Sequence, residues 1–347
     1  MRVFVTIVAW NGMTFIPELL RSLNAQTFRD FQVLLIDNGS GDGVEAFVRA
    51  QHPEVTILRN AHNLGFSPGH NQGIRYAFSK WQGEDLSDRF VLCTNQDTIL
   101  SPTFLETIVR SAEQHPEAGE IGGKLLRAYS ENPQDESLKE TVQSDRLDSA
   151  GIQPHRNRTF TDRGAGELDR GQYDQEEDVF GFSGALVLLR ASALKDVRFE
   201  EEVFDQDFFA YKEDIDLAWR LQYRGWKARY VPTAIAYHYR GMYGKEQTGL
   251  RELIRNRRKK SRVRSYYCTR NHWNLLMKNE RFASACFAFP WIFSMELCRF
   301  FYVCLFEPGN ARAFLEAVLR APRMWKKRRH TFRNRKVARV DFREWFI

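Results

Sequence analysis

Two short segments place oxygen-bearing side chains at spacings that chemistry can use. In Asn95-Gln96-Asp97, which closes an apolar run, residues two apart in extended chain point to the same side. Asn95 and Asp97 can therefore face one cation, with Asp97 the direct ligand and Mg2+ or Mn2+ the ion suited to such donors. A turn with a capping Asp before a helix opened by Pro102 accounts for the same residues. The second segment, Glu213-Asp214-Ile215-Asp216, starts a helix that continues Leu217-Ala218-Trp219-Arg220-Leu221. Helical spacing puts Asp214, Leu217, Ala218 and Leu221 on one, core-side face. Glu213, Asp216 and Arg220 fall on another, where Asp216 can pair with Arg220. The helix dipole favours acids at this end in any case. It does not explain a carboxylate at Asp214 among apolar neighbours, which needs a partner or a chemical task.

Elements to position these groups are readable upstream and downstream. Val3–Ala9, Gln32–Ile36, Val55–Leu58 and Phe90–Cys93 are short apolar runs rich in β-branched residues, predicted as strands. Helical patterns fall between them at residues 14–26 and 69–80, and Pro102 opens another through Gln114. This βαβαβ order predicts a mostly parallel sheet flanked by helices, with ligands beyond the carboxyl ends of its strands. Further strands are expected at Gly184–Leu189 and Arg229–Tyr239, and a helix over 247–277. Residues 129–178 are polar and read as a long surface excursion that could cover the site.

The predicted strand ends are polar in series: Trp10-Asn11; Asp37-Asn38-Gly39-Ser40-Gly41-Asp42-Gly43; Asn63-Leu64-Gly65-Phe66 leading to Gly69-His70-Asn71-Gln72-Gly73; and Asn95-Gln96-Asp97. Asp-Asn-Gly-Ser by itself is an ordinary turn. Taken in order, the segments resemble glycosyltransferase family 2, of GT-A fold, and especially its bacterial rhamnosyltransferase-like members, over roughly residues 1–280. The resemblance implies a GT-A domain over 1–245, with a nucleotide-binding half (1–125) and an acceptor and catalytic half (180–245). It implies that Asp37 accepts the imide N–H of a pyrimidine base, with Asn11, Asn38, His70 and Asn71 lining the nucleotide pocket. Asn95-Gln96-Asp97 stands where the family carries Asp-x-Asp, with Asn in place of the first acid. Asn95 and Gln96 then face the nucleotide sugar, and Asp97 holds Mg2+ or Mn2+ together with the donor diphosphate. Asp214 matches the family's general base. His238 matches a histidine that completes the metal site, although a lone histidine in a strand is more often simply packed. Ser183, Gly184, Glu213 and Trp219 are assigned to the acceptor, Trp219 through stacking on a sugar face. The implied reaction is a single, inverting displacement that moves a sugar, L-rhamnose from dTDP-rhamnose as first choice, onto a saccharide acceptor in cell-surface polysaccharide biosynthesis.

Charge is unevenly spread. Residues 251–347 hold 24 Lys/Arg against 7 Asp/Glu, net +17, while the first 250 hold 27 against 37, net −10. The region 246–347 reads as basic, aromatic and helical. Residues 282–295 carry no charge, and Glu296 and Arg299 interrupt before Phe300–Phe306. With Arg255–Arg264 before it and Lys326-Lys327-Arg328-Arg329 after it, this stretch fits an interfacial helix on anionic lipid. Burial, an oligomer interface and a true span remain alternatives. A membrane address would bring the site to a polyprenyl-diphosphate-linked acceptor. Met1-Arg2 leads straight into a strand pattern without a cleavage site. Five cysteines without a CxxC suit free, buried thiols. Both features suggest a cytoplasmic protein, peripheral on the plasma membrane. The basic end also permits nucleic-acid binding, but no such motif occurs and the acidic body would repel phosphates. No Gly-x-Gly-x-x-Gly follows the first strand, which argues against a nicotinamide enzyme, and the missing phosphate loop argues against a nucleotidyltransferase. A donor-binding pseudoenzyme remains open because of Asn95.

Overall fold

The computed structural model describes residues 1–130, 141–239, 261–337 and 345–346. The chain runs β1 (Val3–Ala9), α1 (Ile16–Asn24), β2 (Phe31–Asp37), α2 (Val44–Gln51), β3 (Thr56–Arg59), α3 (Phe66–Lys80), β4 (Phe90–Asn95), β5 (Thr98–Leu100) and α4 (Phe104–Gln114). It continues with β6 (Ala118–Ser130), β7 (Thr141–Ser149), β8 (Ile152–Pro154), β9 (Phe160–Asp162), β10 (Glu177–Val179), β11 (Leu186–Arg190) and α5 (Ala191–Val197). Then come α6 (Glu213–Tyr223), β12 (Lys227–His238), α7 (Arg262–Asn279), α8 (Phe282–Phe287), α9 (Phe289–Phe306) and α10 (Arg312–Arg333).

The central sheet is ordered β10-β12-β6-β11-β4-β1-β2-β3, with β5 on β12 and β7 on β6. β1, β2, β3 and β4 are parallel, as the alternation of strand and helix requires. Both faces of β1 are covered. Val3, Val5, Ile7 and Ala9 join one core with α1, α2 and α4, while Phe4 joins another with α3, α5 and α6. That is why the strand reads as a continuous apolar run. Helix α3 lies unusually close to β1: a Cβ on Gly69 would sit 2.8 Å from Val8, and one on Gly73 2.6 Å from Thr6. Glycine at these two positions is therefore a packing requirement.

Residues 129–178 do not form a loose excursion where they are described. β7 pairs with β6, β8 with β9, and β10 with β12, and Leu147, Ala150 and Ile152 are buried. The polar composition hides this because the charges are paired. Lys124 is 2.7 Å from Asp169, Arg163 2.8 Å from Glu177, and Arg229 3.0 Å from Glu176. Residues 131–140 lie outside the described part, as does the stretch 247–260 of the expected 247–277 helix.

Helix α6 also differs from its expected orientation. Apart from Asp214, its residues from Glu213 to Tyr223 are buried. Asp216 does pair with Arg220, at 2.9 Å, but inside the protein. Lys278 of α7 lies 2.9 Å from Asp216 and 2.7 Å from Asp205, and Asn279 donates to Asp216 at 2.8 Å. Lys327 of α10, only 2% exposed, reaches Asp205, and lies 2.8 Å from Asp207 and 3.0 Å from Glu202. Burial alone would raise the Asp205 and Asp216 carboxyls. The surrounding cations instead hold both below the ordinary range.

Lys327→Met would leave these acids with too few counter-charges, at a cost of about 3–5 kcal/mol. Urea unfolding followed by circular dichroism measures it. A loss under about 1 kcal/mol would mean that the network does not hold α10 in place.

Candidate active site

Strand register builds the site. Ala9 is paired with Asp37, and Val8 with Asn95, so Trp10-Asn11, Asp37-Asn38 and Asn95-Gln96-Asp97 emerge at one edge of the sheet. Asn11 takes a left-handed conformation (φ 49°), which Asn tolerates better than most residues. Its Oδ1 accepts from Gly41 N at 3.0 Å, and its own N–H donates to Ser40 Oγ at 3.0 Å. Asp37 is fully buried. One carboxylate oxygen accepts from Ser40 N at 2.8 Å and the other from Arg59 at 3.2 Å. Arg59 comes from the position paired with Asp37 on β3. Gln96 Oε1 accepts the Trp10 N–H at 2.9 Å, so Gln96 fastens two strand ends together.

Several residues expected to line the nucleotide pocket are hydrogen-bonded within the fold. The Asn38 side chain bonds Gly65 O (3.1 Å) and Asn60 Nδ2 (2.8 Å). Asn71 donates to Phe204 O at 2.7 Å and accepts from Phe204 N at 2.9 Å, tying α3 to the catalytic half. His70 is fully buried, with Nδ1 2.9 Å from Thr6 Oγ1 and its ring against Phe66. Burial pushes its pKa down to about 3, so it stays neutral. Trp219 is not available to a sugar. It is 1% exposed, in a cluster with Phe160, Phe180 and Phe346. The exposed indole at this edge is Trp10, 54% accessible.

Asp97 and His238 do come together. Thr98, next to Asp97, is paired with His238 across β5 and β12, and His238 Nε2 lies 3.3 Å from Asp97 Oδ1. Its Nδ1 lies 2.8 Å from Asp148 Oδ2, a residue that sequence reasoning missed. Burial disfavours the imidazolium, but Asp97 and Asp148 overrule it and raise the pKa to about 10. A carboxylate on the histidine nitrogen away from the site, as Asp148 provides at Nδ1, is the usual partner of a metal-ligating histidine, and an ion would displace the proton from Nε2. The donor set fits Mg2+ or Mn2+: Asp97 and His238 Nε2 would hold the ion, with Asp148 orienting the ring. Among the described residues no cluster of three or more ligating side chains occurs, so further ligands would come from substrate or water.

At the start of α6, Gly184 N donates to Asp214 Oδ2 at 3.2 Å and Ile215 N to Asp214 Oδ1 at 2.8 Å. Ala185, beside Gly184, accepts from Asn95 N at 2.8 Å. Two adjacent residues of one segment thus connect Asp214 to the tip of β4. A Cβ on Gly184 would meet Phe66 at 2.7 Å, and half-buried Ser183 accepts from Ala185 N at 3.4 Å. Burial raises the Asp214 carboxyl, against the pull of the two N–H groups. Glu213 is raised well above the ordinary range by burial and by Asp214, and its Oε2 has no hydrogen-bond partner among the described residues. Glu120, behind residues 181–184, is raised to about 8 by burial. Phe209, Tyr211 and Lys212, which lead into α6, all have positive φ (65°, 71° and 71°). Such strain persists only where surroundings over-determine it. Here Asn271 Nδ2 lies 2.8–2.9 Å from the carbonyls of Phe208, Ala210 and Tyr211, and Arg270 donates to Asp207 O at 2.7 Å.

A mostly parallel β1–β4 sheet flanked by helices and extended by antiparallel strands is a GT-A-type fold. The chain belongs to glycosyltransferase family 2: the model of that family, "Glycosyltransferase like family 2", matches residues 2–262. It is a glycosyltransferase of the rhamnosyltransferase-like branch. The N-acetylglucosaminyl-diphospho-decaprenol L-rhamnosyltransferase of Mycobacterium tuberculosis is 30% identical over 240 residues, 68% of this chain and 75% of that protein. Rhamnosyltransferase WbbL of Escherichia coli is 28% identical over 240 residues, 68% of this chain and 83% of its own length. Among solved structures, GalNAc-T7 with UDP, GalNAc and Mn2+ has a TM-score of 0.53 at 12% identity. That match takes in 79% of this chain but only about half (51%) of that one, and the likeness is one of fold.

Asp148→Asn keeps the shape beside His238 but removes the charge that orients it. Affinity for Mn2+, titrated calorimetrically in the presence of a nucleoside diphosphate, is expected to fall about 10–100-fold. Unchanged affinity with an unchanged circular dichroism spectrum would remove Asp148 from the site.

Proposed function

We propose that this chain transfers L-rhamnose from dTDP-rhamnose, with inversion, to a saccharide carried on a polyprenyl diphosphate. The reaction would serve cell-surface polysaccharide biosynthesis at the cytoplasmic face of a membrane. The donor and acceptor classes rest on the mycobacterial relative, whose name specifies an L-rhamnosyltransferase acting on N-acetylglucosaminyl-diphospho-decaprenol. The observation that supports this chemistry is the tether from Asp214 through Gly184 and Ala185 to Asn95, which joins the Asp214 carboxylate to the Asn95-Gln96-Asp97 segment.

In this reading Asp214 accepts the proton of an acceptor hydroxyl as its oxygen attacks the anomeric carbon from the side opposite the diphosphate. Its two backbone donors fix the carboxylate while leaving lone pairs free to take the proton. Burial strengthens it as a base. Burial raises the Glu213 pKa well above the ordinary carboxyl range, which favours its neutral form and limits repulsion between adjacent acids. Asp37 and Asn11 bind the nucleotide at the β1 and β2 tips, with Arg59 moving aside to open the second Asp37 oxygen to a base. A divalent ion held by Asp97 and His238 would supply positive charge to the leaving diphosphate. Ser183 and Gly184 shape the acceptor side.

Asp214→Asn is expected to lower kcat about 10²–10⁴-fold while leaving donor affinity intact. Thermal shift over a panel of nucleotide sugars, with and without Mn2+, tests the donor, and turnover tests the base. Near-normal turnover, or stabilisation by other donors but not dTDP-rhamnose, would count against this reading.

Because Asp214 must be ionised to act and burial raises its pKa above the 3.8 of an exposed aspartate, activity is lost as pH falls through that raised value. The acid limb of the kcat profile should therefore lie above the exposed-aspartate range. A limb at or below that range would contradict the assignment.

A further inference from the structure

Helix α9 is built inside out for a soluble protein. Over Phe289–Phe306 its mean hydropathy is 1.4, yet only 6% of it is buried. Its two charges lie on the side that faces the protein. Glu296 accepts from Trp273 Nε1 at 2.7 Å and from Arg299 at 2.7 Å, and lies 2.9 Å from His272 Nε2. Ile292, Glu296, Arg299 and Val303, spaced as one helical stripe, form this inner face. Phe289, Trp291, Phe293, Leu297, Phe301 and Leu305 are exposed on the outer side. The apolar surface continues onto neighbouring helices: Phe282 and Phe287 of α8 and Leu315, Val318 and Leu319 of α10 are exposed as well. Phe300 packs on Phe314 with ring centroids 5.5 Å apart, so α9 and α10 adjoin. Exposed apolar side chains concentrated to this extent on adjoining helices mark an interaction surface.

We propose that the outer faces of α8, α9 and α10 dock on an anionic lipid leaflet, with α9 lying in the plane of the interface. Charge complementarity selects this occupant. Arg312, Lys326 and Arg329 of α10 are exposed, and the region from 251 onward carries net +17. Basic residues beside an apolar aromatic face suit anionic headgroups. A second copy of the chain would bring two such basic ends together. Spanning is disfavoured by the inner face. Crossing the bilayer would carry the Glu296–Arg299 pair, with His272 and Trp273, into hydrocarbon, and eighteen residues reach only about 27 Å.

The surface also has a structural route to the chemistry. On α7, Arg270 and Asn271 hold the strained lead-in to Asp214, and the next two residues, His272 and Trp273, hold α9. A lipid-docked α9 would thus set the height of the base above the leaflet. The docking itself stands on the exposed surface alone; only its link to a lipid-linked acceptor rests on the proposed function.

The test uses the full chain in sedimentation with vesicles of phosphatidylcholine, alone or mixed with phosphatidylglycerol, and a triple variant, Phe293→Ser, Leu297→Ser and Phe301→Ser. The wild type should pellet with the mixed vesicles, less so in high salt, and be released by alkaline carbonate. The variant should bind on the order of tenfold more weakly, with an unchanged melting temperature and unchanged donor-induced thermal shift. Equal binding by both proteins, or no vesicle binding by the wild type, would overturn the proposal. So would a carbonate-resistant pellet, which would mean a span. A wild-type dimer in lipid-free light scattering that the variant abolishes would mean that a second copy covers the face. Vesicle binding without any donor-induced shift would sink the proposed function and leave the docking intact.

Discussion

Helix α6 is buried on nearly every side, and it opens with three acids in four residues. A carboxylate cannot be taken out of water without compensation, so the protein must provide for each acid separately. Asp216 receives ionic compensation from Arg220 and Lys278 and a hydrogen bond from Asn279. Glu213 receives far less, and burial raises its pKa well above the ordinary carboxyl range. Asp214 receives two backbone N–H groups, enough to fix its orientation but not enough to cancel the penalty of burial. One acidic cluster thus holds three carboxyls in three different settings. The counter-ions of Asp216 come from α6 itself and from α7, while Lys327 of α10 pairs with neighbouring Asp205, so the C-terminal helices help to hold α6 in place.

Strand register does the corresponding work on the nucleotide half. Parallel pairing puts the carboxyl ends of β1, β2 and β4 level, and the side chains just beyond those ends then stitch the edge together. Gln96 bonds the backbone after β1, and Asn11 bonds the loop after β2. The bonds that Asn38 and Asn71 make to loop backbone pull the α3 region into the same unit. Rigidity at this edge matters because a transferase gains rate by holding its reacting groups within tenths of an ångström of productive geometry.

The alternation of strands and helices through Gln114 was legible because fully buried parallel strands leave continuous apolar runs and helices leave a 3.6-residue pattern. Asp97 with His238, and Asp214 at a helix start, were legible through the resemblance of their motifs to a family. Asp148 was not, since nothing about an acid between Leu147 and Ser149 announces that its partner is a histidine ninety residues on. The strands within 129–178 were missed because their polarity is satisfied by ion pairs formed across the sequence. Trp219 and Asp216 were misplaced for one reason: helical periodicity assigns faces relative to a single core. α6 is packed on by residues from both before and after it, including Phe160, Phe346 and Lys278. The expected burial of the cysteines failed likewise. Cys286, Cys298 and Cys304 are exposed on α8 and α9, where apolar side chains point away from the protein.

That last departure is instructive about what composition can say. A stretch containing Glu296 and Arg299 reads as interrupted, because each charge is scored as though it faced the same surroundings as its neighbours. On a helix fixed along one side, the two can neutralise each other against α7 and leave the opposite side uncharged and mainly apolar. The relevant quantity is then the character of each face, which a linear average mixes. The fastening residues explain why the arrangement has a consequence for chemistry. α7 is one rigid helix, and consecutive residues along it grip the strained entry to Asp214 and the inner side of α9. A helix transmits position over such a distance because its backbone hydrogen bonds leave little freedom between neighbours. The aromatic surface and the acidic helix, far apart in sequence, are thus both fastened to α7.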